Sequence, residues 1–290
     1  MIICHNIPWD KCLSHKIWPA ISKGWQDTPM KPIHFFWGLA GKNIPQIKSC
    51  IEKNEEYYMV DNGYLTQQIT RYPAPIIHDI DKTYFRIVKG GLHVKKGKTG
   101  SIDRLSKLEQ QGIDVKFKGW SEGEHILLCP SSQTVTQYVN GITQDEWLEQ
   151  VKSELRQHTD RPIKFRNKPR PGNQWWQTDI KEDLKNCHCL ITNMSLASVD
   201  AILNQVPVLT HADNVAFDIS INNLPNINTP HKPGRKEVEP WLNMLSQNQF
   251  TIPEIEDGTA YRLLDEQGDT SQKQLTNASE KVKQLRDKIS

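Results

Sequence analysis

Residues 125–210 alternate short apolar segments with amphipathic ones, and this alternation constrains the fold more than any other feature of the sequence. The predicted strands are "HILLCP" (125–130), "PIKFR" (162–166), "CHCLIT" (187–192) and "VPVLT" (206–210), and the predicted helices span 143–158, 178–186 and 195–205. Thr143, followed three residues later by Glu146, has the form of a capping box and marks the start of the first helix. Short apolar strands that alternate with helices are typical of a parallel, doubly wound sheet.

The first half of the chain carries a less regular version of the same pattern. Strands are predicted at 32–38, 55–65, 84–91 and 113–120, with a helix over 44–54. The pattern starts again after "GWSEGE" (119–124). We therefore predict an α/β protein with one domain over 1–122, a second over 123–264, and a polar helix or tail over 265–290.

Composition excludes several classes of protein. A hydrophobic content of 37% with nine Trp supplies enough apolar surface for packed cores, which argues against wholesale disorder. No segment approaches the ~18 apolar residues of a membrane span, and the first residues do not resemble a secretion signal, so we expect a cytoplasmic protein without a membrane partner. Six scattered cysteines indicate reduced thiols. "CHC" (187–189) has no second ligand cluster nearby, so no metal site is expected.

Basic residues are concentrated in two places although the net charge is only +2. Residues 86–118 contain nine Lys/Arg against three Asp/Glu, a net charge of +6, and "HTDRPIKFRNKPR" (158–170) holds five Lys/Arg and one Asp. A single basic run is usually a solvated face. Two runs in different halves favour a protein that handles phosphates at two places.

The carboxyl ends of parallel strands are where ligands bind in doubly wound sheets, because helix N-termini offer unpaired N–H groups there. Asn193 and Ser195 lie at the turn that follows the 187–192 strand, and Ser198 is one helical turn further on. These side chains are candidates for contacting a ligand. Alternatively, Ser195 only caps the helix.

Two neighbouring strand ends add further hydroxyls and cations. The candidates there are Ser131 and Ser132 after the 125–130 strand, and Arg166 and Lys168 after the 162–166 strand. Together the three ends predict a site for a diphosphate, in which the cations neutralise its charge and the serines hold its oxygens.

The common phosphate-binding loops are absent, since the sequence has neither G-x-G-x-x-G nor a Walker A run. "IIHDID" places Asp79 and Asp81 as a D-x-D that could hold a metal diphosphate, but this motif is short and common. The cationic strand ends offer a metal-free alternative. Arg161 is a weaker candidate for the diphosphate, and Asp200 is either a ribose partner or a surface charge.

The first half offers a candidate catalytic base. Asp61 follows the apolar run "YYMV" and precedes Asn62 and Gly63, so it should emerge at a strand end on a tight turn. A carboxylate there could remove the proton of a hydroxyl acceptor, or it could only hydrogen-bond the turn. His34 and His78 are rivals, although His34 lies inside an apolar strand and is expected to point into the core.

Several segments, taken in order, resemble glycosyltransferases of the two-domain GT-B architecture, particularly those of bacteriophage genomes. The most specific are "HTDRPI" (158–163), "TNMSLASVDAI" (192–202) and "MVDNGY" (59–64), and the resemblance covers most of residues 33–264. It implies two Rossmann-like domains that face each other across a cleft. The carboxyl domain would bind a nucleotide sugar, expected to be UDP-linked and to need no metal, and the amino domain would bind the acceptor.

Some phage enzymes of this type attach sugars to hydroxymethylated cytosine in DNA, so the resemblance implies double-stranded DNA as the acceptor, in host cytoplasm. The basic segment of the amino half would contact its phosphates. The candidate residues for those contacts are Arg86, Lys95, Lys96 and Lys98. Two alternatives stay open: a glycosyltransferase acting on a surface polysaccharide or lipid-linked sugar, and a nucleic-acid-binding protein that is not an enzyme.

Overall fold

The structure is a computed structural model, and it describes residues 1–5, 14–25, 31–39, 42–65, 80–95, 103–170, 172–175, 178–221 and 223–266. Its helices and strands are, in chain order, β1 (Ile2–His5), α1 (Ser14–Gly24), β2 (Ile33–Trp37), α2 (Asn43–Lys53), β3 (Glu56–Asn62), β4 (Phe85–Lys89), α3 (Asp103–Gln110), β5 (His125–Leu128), α4 (Gln133–Asn140), α5 (Gln144–Leu155), β6 (Ile163–Phe165), α6 (Ile180–Leu184), β7 (Cys187–Thr192), α7 (Ala197–Leu203), β8 (Val208–Thr210), α8 (Arg235–Gln247), β9 (Gln249–Phe250), α9 (Ile252–Glu256) and α10 (Thr259–Glu266). The chain forms two compact units, unit 1 from residues 1–100 and 247–290 and unit 2 from residues 101–246.

Unit 1 is built on a five-stranded sheet in the order β1-β2-β3-β4-β9. The first three strands are parallel, and β4 and β9 are antiparallel to their neighbours, so the sheet is mixed rather than wholly parallel. Its core contains Phe35, Val60, Phe85 and Phe250, one side chain from each of the four strands β2, β3, β4 and β9, all without solvent exposure. Burial of these large side chains supplies much of the free energy that holds the sheet together.

Unit 2 is built on a four-stranded sheet in the order β6-β5-β7-β8, in which every neighbouring pair is parallel. The parallel sheet predicted for this half is confirmed, and so is the adjacency of the strand ends of β6, β5 and β7. The predicted capping box is also present. The Glu146 amide donates to Thr143 Oγ1 at 3.2 Å, and the Thr143 amide donates to Glu146 Oε2 at 2.7 Å.

Three expectations differ from the structure. Residues 113–120 form no strand: Val115 and Phe117 are buried as an alternating pattern predicts, but the Phe117 carbonyl accepts from Arg235 instead of joining a ladder. Helix α4 occupies a segment that was not predicted to be helical. The units also do not end at residues 122 and 264, because the chain returns to unit 1 at residue 247.

Two further features concern membranes and thiols. Within the part of the chain that the structure describes, no helix combines the length and the apolar character that a membrane crossing requires. The five cysteines in that part, Cys4, Cys50, Cys129, Cys187 and Cys189, are free thiols, as the scattered pattern predicts.

Candidate active-site residues at the sheet edges

Asn193 is the centre of a buried hydrogen-bond network at the carboxyl edge of the unit 2 sheet. Its Oδ1 accepts from the amides of Ser131 at 2.8 Å and Met194 at 3.0 Å, and its Nδ2 donates to Thr136 Oγ1 and Asn140 Oδ1. The side chain is 1% exposed. Asn193 therefore ties the end of β7 to the end of β5 and to α4, and its side-chain atoms face protein partners.

Two predicted ligand contacts belong to the same buried edge. Ser131 Oγ accepts from the Met194 amide at 3.0 Å. Ser198 is fully buried, and its Oγ donates toward the Ser195 carbonyl and Asn214 Oδ1. These two hydroxyls therefore hydrogen-bond to protein atoms at the edge of the sheet.

Four other candidates at this edge are reached by solvent. Ser132 is half-buried just before α4, and its side chain makes no capping hydrogen bond to that helix. Ser195 is also half-buried, and its Oγ accepts from the Ala197 amide at 3.2 Å, but the N-cap residue of α7 is Leu196 rather than Ser195. Lys168 and Asp200 are exposed. The edge thus presents a hydroxyl after each of two central strands and a cation after β6.

Arg166 is placed differently from the prediction that it neutralises a donor diphosphate. Its side chain is 4% exposed, forms an ion pair with Asp183, and donates to Thr178 Oγ1 at 3.1 Å and to the Thr178 carbonyl at 2.8 Å. The cleft of about 510 Å³ that it lines also contains the carboxylates of Asp179, Glu182 and Asp183. A diphosphate would meet a net negative charge there, so the surroundings of Arg166 disfavour the predicted role.

Arg161 does not join this group of residues. It precedes β6, and its guanidinium donates to the carbonyls of Gly123 at 3.0 Å and Glu124 at 3.2 Å, which precede β5. Because the strands are parallel, these residues lie at the amino edge of the sheet. Arg161 is corrected accordingly: it cannot share a phosphate with residues at the carboxyl edge.

Sequence reasoning overlooked a group of titratable residues after β8. His211 follows the strand directly. Its Nδ1 accepts a hydrogen bond from the Asp213 amide at 3.1 Å and lies 3.7 Å from Asp213 Oδ2. Burial, with a smaller contribution from Asp213, raises the pKa of Tyr138. The signal was present in "VPVLTHADN" (206–214), where a His follows an apolar strand at the ligand-binding edge.

Asp61 lies where the prediction puts it, close to the carboxyl end of β3. Its side chain is 34% exposed, and its Oδ2 lies 3.0 Å from an Nη of Arg86, the residue opposite it on β4. Its Oδ1 accepts from the Asn62 amide at 2.8 Å. Asp61 is thus a carboxylate held by a buried cation, with one side open to solvent.

Two glycines shape the surroundings of Asp61. Gly38 follows β2 with φ +49, and a Cβ there would lie 3.3 Å from Asp61 Oδ2, so the bare backbone leaves the carboxylate accessible. The predicted tight turn at Gly63 is not found. Gly63 extends the pairing between the end of β3 and the start of β4, because its amide donates to the Tyr84 carbonyl at 2.9 Å. A Cβ on Gly63 would lie only 2.8 Å from that carbonyl oxygen.

The predicted DNA contacts of unit 1 receive one correction. Arg86 is 6% exposed, and besides Asp61 it donates to the carbonyls of Asn62 at 2.7 Å and Leu92 at 3.2 Å. A buried guanidinium whose three nitrogens all donate to acceptors inside unit 1 is not a surface contact for a DNA phosphate. Lys95 is half-buried. Four other residues of the sequence predictions lie outside the described residues: Lys96, Lys98, His78 and Asp79.

His34, a rival base in the sequence analysis, is half-buried rather than enclosed in the core. Its Nδ1 lies 2.9 Å from His5 Nε2, and its Nε2 lies 3.3 Å from Glu55 Oε2. Burial lowers the pKa of His34, and burial together with the neighbouring imidazole lowers the pKa of His5 to about 4. His34 is near the amino end of β2, away from the edge that carries Asp61.

Comparison with known proteins adds information on the fold. No family model matches the sequence, and no curated protein matches it. Among solved structures, the chain is similar to "Thermosulfurimonas dismutans KpsC, beta Kdo 2,4 transferase", with 12% identity, a TM-score of 0.50, and coverage of 84% of this chain and 89% of that one. A second structure, "Thermosulfurimonas dismutans KpsC, beta Kdo 2,7 transferase", gives 11% identity and a TM-score of 0.49, with coverage of 92% of this chain and 99% of that one. At this identity the likeness to the first structure shows a shared α/β fold.

Proposed function

We propose that this protein is a glycosyltransferase that moves a sugar from a nucleotide sugar to a hydroxyl of a saccharide, such as a surface polysaccharide or a lipid-linked sugar. The observation that carries the proposal is the fold shared with a β-Kdo 2,4 transferase, over most of both chains. In an α/β fold of this kind, ligands bind at the carboxyl ends of the parallel strands. The exposed and half-buried polar residues described above lie at those ends in each unit.

Asp61 supplies the acid–base chemistry in this proposal. Transfer to a hydroxyl needs a base that removes its proton as the glycosidic bond forms. The Asp61 carboxylate is partly exposed, and its contact with Arg86 holds its orientation. Arg86 acts here as a positioning residue. The nucleotide sugar would bind unit 2 through Ser132, Ser195 and Lys168.

A saccharide acceptor is favoured over modified DNA for two reasons. The similar structure is that of a Kdo transferase, a sugar-transferring enzyme whose name refers to no nucleic acid. Arg86, one of the four predicted DNA contacts, is buried within unit 1. The proposal includes a GT-B architecture and a UDP-linked donor.

Thermal-shift titration with a panel of nucleotides and nucleotide sugars tests the donor half of the proposal. A ligand of the folded state stabilises it by RT ln(1 + [L]/Kd), so the matching nucleotide should raise Tm progressively with concentration. Ser195→Ala and Lys168→Ala should weaken that effect. Lys152→Ala, which removes a half-buried lysine on α5 that pairs with Glu149, is the matched control and should leave the rise in Tm unchanged. A flat response to the whole panel would contradict the proposal.

DNA binding at different salt concentrations tests the competing acceptor. If DNA is the acceptor, log Kobs should fall with log salt, and joint replacement of Lys95, Lys96 and Lys98 by Ala should reduce the slope by roughly 0.9 per lost phosphate contact. Our proposal expects no specific DNA affinity and no effect of these replacements. A steep, lysine-dependent slope would favour the DNA acceptor.

A further inference from the structure

Three side chains with metal-binding atoms converge in unit 1, away from the edge that carries Asp61. They are His34 on β2, Cys50 on α2, and Glu55 in the connection between α2 and β3. One ligand atom from each, a ring nitrogen, a thiol sulfur and a carboxylate oxygen, all lie within 4.8 Å of one another. The three residues do not form a local sequence motif, so the sequence alone does not predict that they meet.

We propose that His34, Cys50 and Glu55 form a binding site for a transition-metal ion of the Zn²⁺ class, with solvent in the fourth position. Nitrogen, sulfur and oxygen donors together are the ligand set that Zn²⁺ accepts in proteins, usually in tetrahedral geometry. A hard cation such as Mg²⁺ or Ca²⁺ would select oxygen donors only.

The spacing of the ligand atoms matches one tetrahedral ion. With metal–nitrogen and metal–oxygen distances of about 2.0–2.2 Å, two ligands of a tetrahedron lie roughly 3.3–3.5 Å apart. The distance between His34 Nε2 and Glu55 Oε2 is 3.3 Å. With a zinc–sulfur bond of about 2.3 Å, the sulfur of a tetrahedral site lies roughly 3.6 Å from the nitrogen and oxygen ligands. The Cys50 sulfur is within 4.8 Å of both atoms, so a small side-chain movement brings it to that separation.

The environment of the His34 ring nitrogen also fits a ligand. His34 Nε2 is buried from solvent, and Glu55 Oε2 lies 3.3 Å away, an ion-pair distance without the alignment of a good hydrogen bond. Buried polar atoms are nearly always satisfied, and each exception calls for an explanation. A metal ion between the nitrogen, the carboxylate and the thiol would satisfy this atom.

The other face of the His34 ring is prepared for metal binding. Histidines that bind a metal through one nitrogen usually donate the other N–H to a fixed acceptor. His34 Nδ1 lies 2.9 Å from His5 Nε2, and the His5 ring stacks on Phe36 with a centroid distance of 4.1 Å. This contact can hold the tautomer in which His34 Nε2 keeps its lone pair toward Cys50 and Glu55.

By its position the site is separate from the edge that carries Asp61. His34 is opposite Tyr57 in the sheet register, and Asp61 is four residues further along β3, roughly 13 Å away along the strand. An ion here would fasten the end of α2 to β2 and to the start of β3. The deprotonated ligand set carries two negative charges, which a divalent cation balances, while the exposed Lys53 nearby adds one positive charge.

The test is metal titration of the full chain after removal of metals with a chelator. We expect one Zn²⁺ per chain by elemental analysis after dialysis, and a rise in Tm on adding Zn²⁺ but not Mg²⁺. Co²⁺ in place of Zn²⁺ should give the thiolate-to-cobalt charge-transfer absorption. Cys50→Ser should abolish that absorption and weaken Zn²⁺ affinity by at least about 100-fold, since even changes behind the ligands cost about 10–100-fold.

Matched variants separate binding from folding. Cys129→Ser removes a buried thiol of unit 2 and should leave affinity and the cobalt absorption unchanged. If Cys50→Ser does not fold, Glu55→Gln removes a ligand from a side chain that is 23% exposed and should still weaken affinity. His5→Phe tests the positioning contact and should cost about 10–100-fold. No stoichiometric zinc, or a cobalt complex without thiolate absorption, would overturn the proposal.

Discussion

At the residue scale, Asp61 owes its position to a strand register and to one buried cation. The pairing of β3 with β4 sets Asp61 opposite Arg86, whose guanidinium is also held by two backbone carbonyls. The Arg86 guanidinium lies 5.5 Å from the ring centre of Tyr64, and burial raises the pKa of that phenol to about 12. The phenol therefore stays neutral near physiological pH, and the ion pair keeps the carboxylate in one orientation.

Replacing Asp61 by Asn should lower kcat by about 10²-fold or more, because the amide keeps the shape of the side chain but cannot take a proton. Donor Kd and Tm should change little. Steady-state kinetics with matched donor titrations measure the difference.

The control for this variant is Asp81→Asn, which removes an exposed carboxylate of the same unit. Activity should be retained. A large loss there, with Asp61→Asn near the wild-type rate, would instead favour the D-x-D hypothesis over Asp61.

Arg166→Ala should reduce the free energy of unfolding by about 1.5–3 kcal/mol, the range for a hydrogen bond to a charged group. The reason is that Asp183 and the Thr178 carbonyl lose a buried partner. Chemical denaturation measures this change. Lys164→Ala, which removes an exposed cation on β6, is the control and should be nearly neutral. Unchanged stability together with a weaker donor Kd would restore Arg166 as a phosphate ligand.

At the scale of elements, the turn from β7 to α7 is fixed by side chains rather than by backbone pairing alone. Asn193 binds the end of β5, and Asn214 donates to the carbonyls of Asn193 at 3.1 Å and Ser195 at 3.2 Å. These contacts set which hydroxyls face solvent at the edge. Asn193 and Asn214 therefore fix the shape of this sheet edge through contacts within the protein.

Asn193→Ala should destabilise the protein by about 2–3 kcal/mol, because the Ser131 and Met194 amides would be left without their acceptor in a buried place. Denaturant midpoints measure the loss. The control is Asn204→Ala at the other end of α7, where a single hydrogen bond to the Asp200 carbonyl is removed. Equal effects of the two replacements would contradict the role given to Asn193.

Two buried histidines make the stability of unit 2 depend on pH. Burial lowers the pKa of both His125 and His188 from the ordinary value of 6.5, and their rings contact the carbonyls of Asp183 and Ile227. Below pH 6.5 the unfolded chain binds more protons than the folded one. The contribution of these histidines to the free energy of unfolding is therefore fully present above pH 6.5 and is lost as the pH falls toward their lowered folded-state pKa values. Denaturation midpoints at several pH values should show this decline.

The pH dependence is tested with the double variant His125→Gln/His188→Gln, and His231→Gln is the control. The double variant should flatten the decline below pH 6.5, since neither site then takes a proton in the unfolded state. The exposed His231 should have no effect. A decline of equal steepness in the double variant would assign the pH dependence to other groups.

At the scale of the whole molecule, the regular half of the sequence is the half whose fold could be predicted. Strands β5 to β8 and the capping box at Thr143 follow from local alternation and hydroxyl placement, which depend on neighbouring residues only. The mixed sheet of unit 1 could not be predicted in this way. It depends on the antiparallel pairing of β4 with β3, and on β9, two residues long and far along the chain, pairing with β4.

The candidate site was predictable in part for the same reason. Local sequence indicates which residues follow a strand, and it placed Asp61 and Ser195 at strand ends as found. It could not show that Arg86 and Arg166 form buried ion pairs, because their partners, Asp61 and Asp183, come from other segments of the chain. The convergence of His34, Cys50 and Glu55 is equally a product of tertiary structure.

Glycosyl transfer to a saccharide hydroxyl can be measured by mass spectrometry of the reaction products. The purified chain would be incubated with the nucleotide sugars that stabilise it and with oligosaccharide, lipid-linked and hydroxymethylated-DNA acceptors. A saccharide acceptor should gain the mass of one sugar, the nucleotide should be released, and Asp61→Asn should nearly abolish both. Transfer to DNA alone, or no transfer from any donor to any acceptor, would contradict glycosyl transfer to a saccharide.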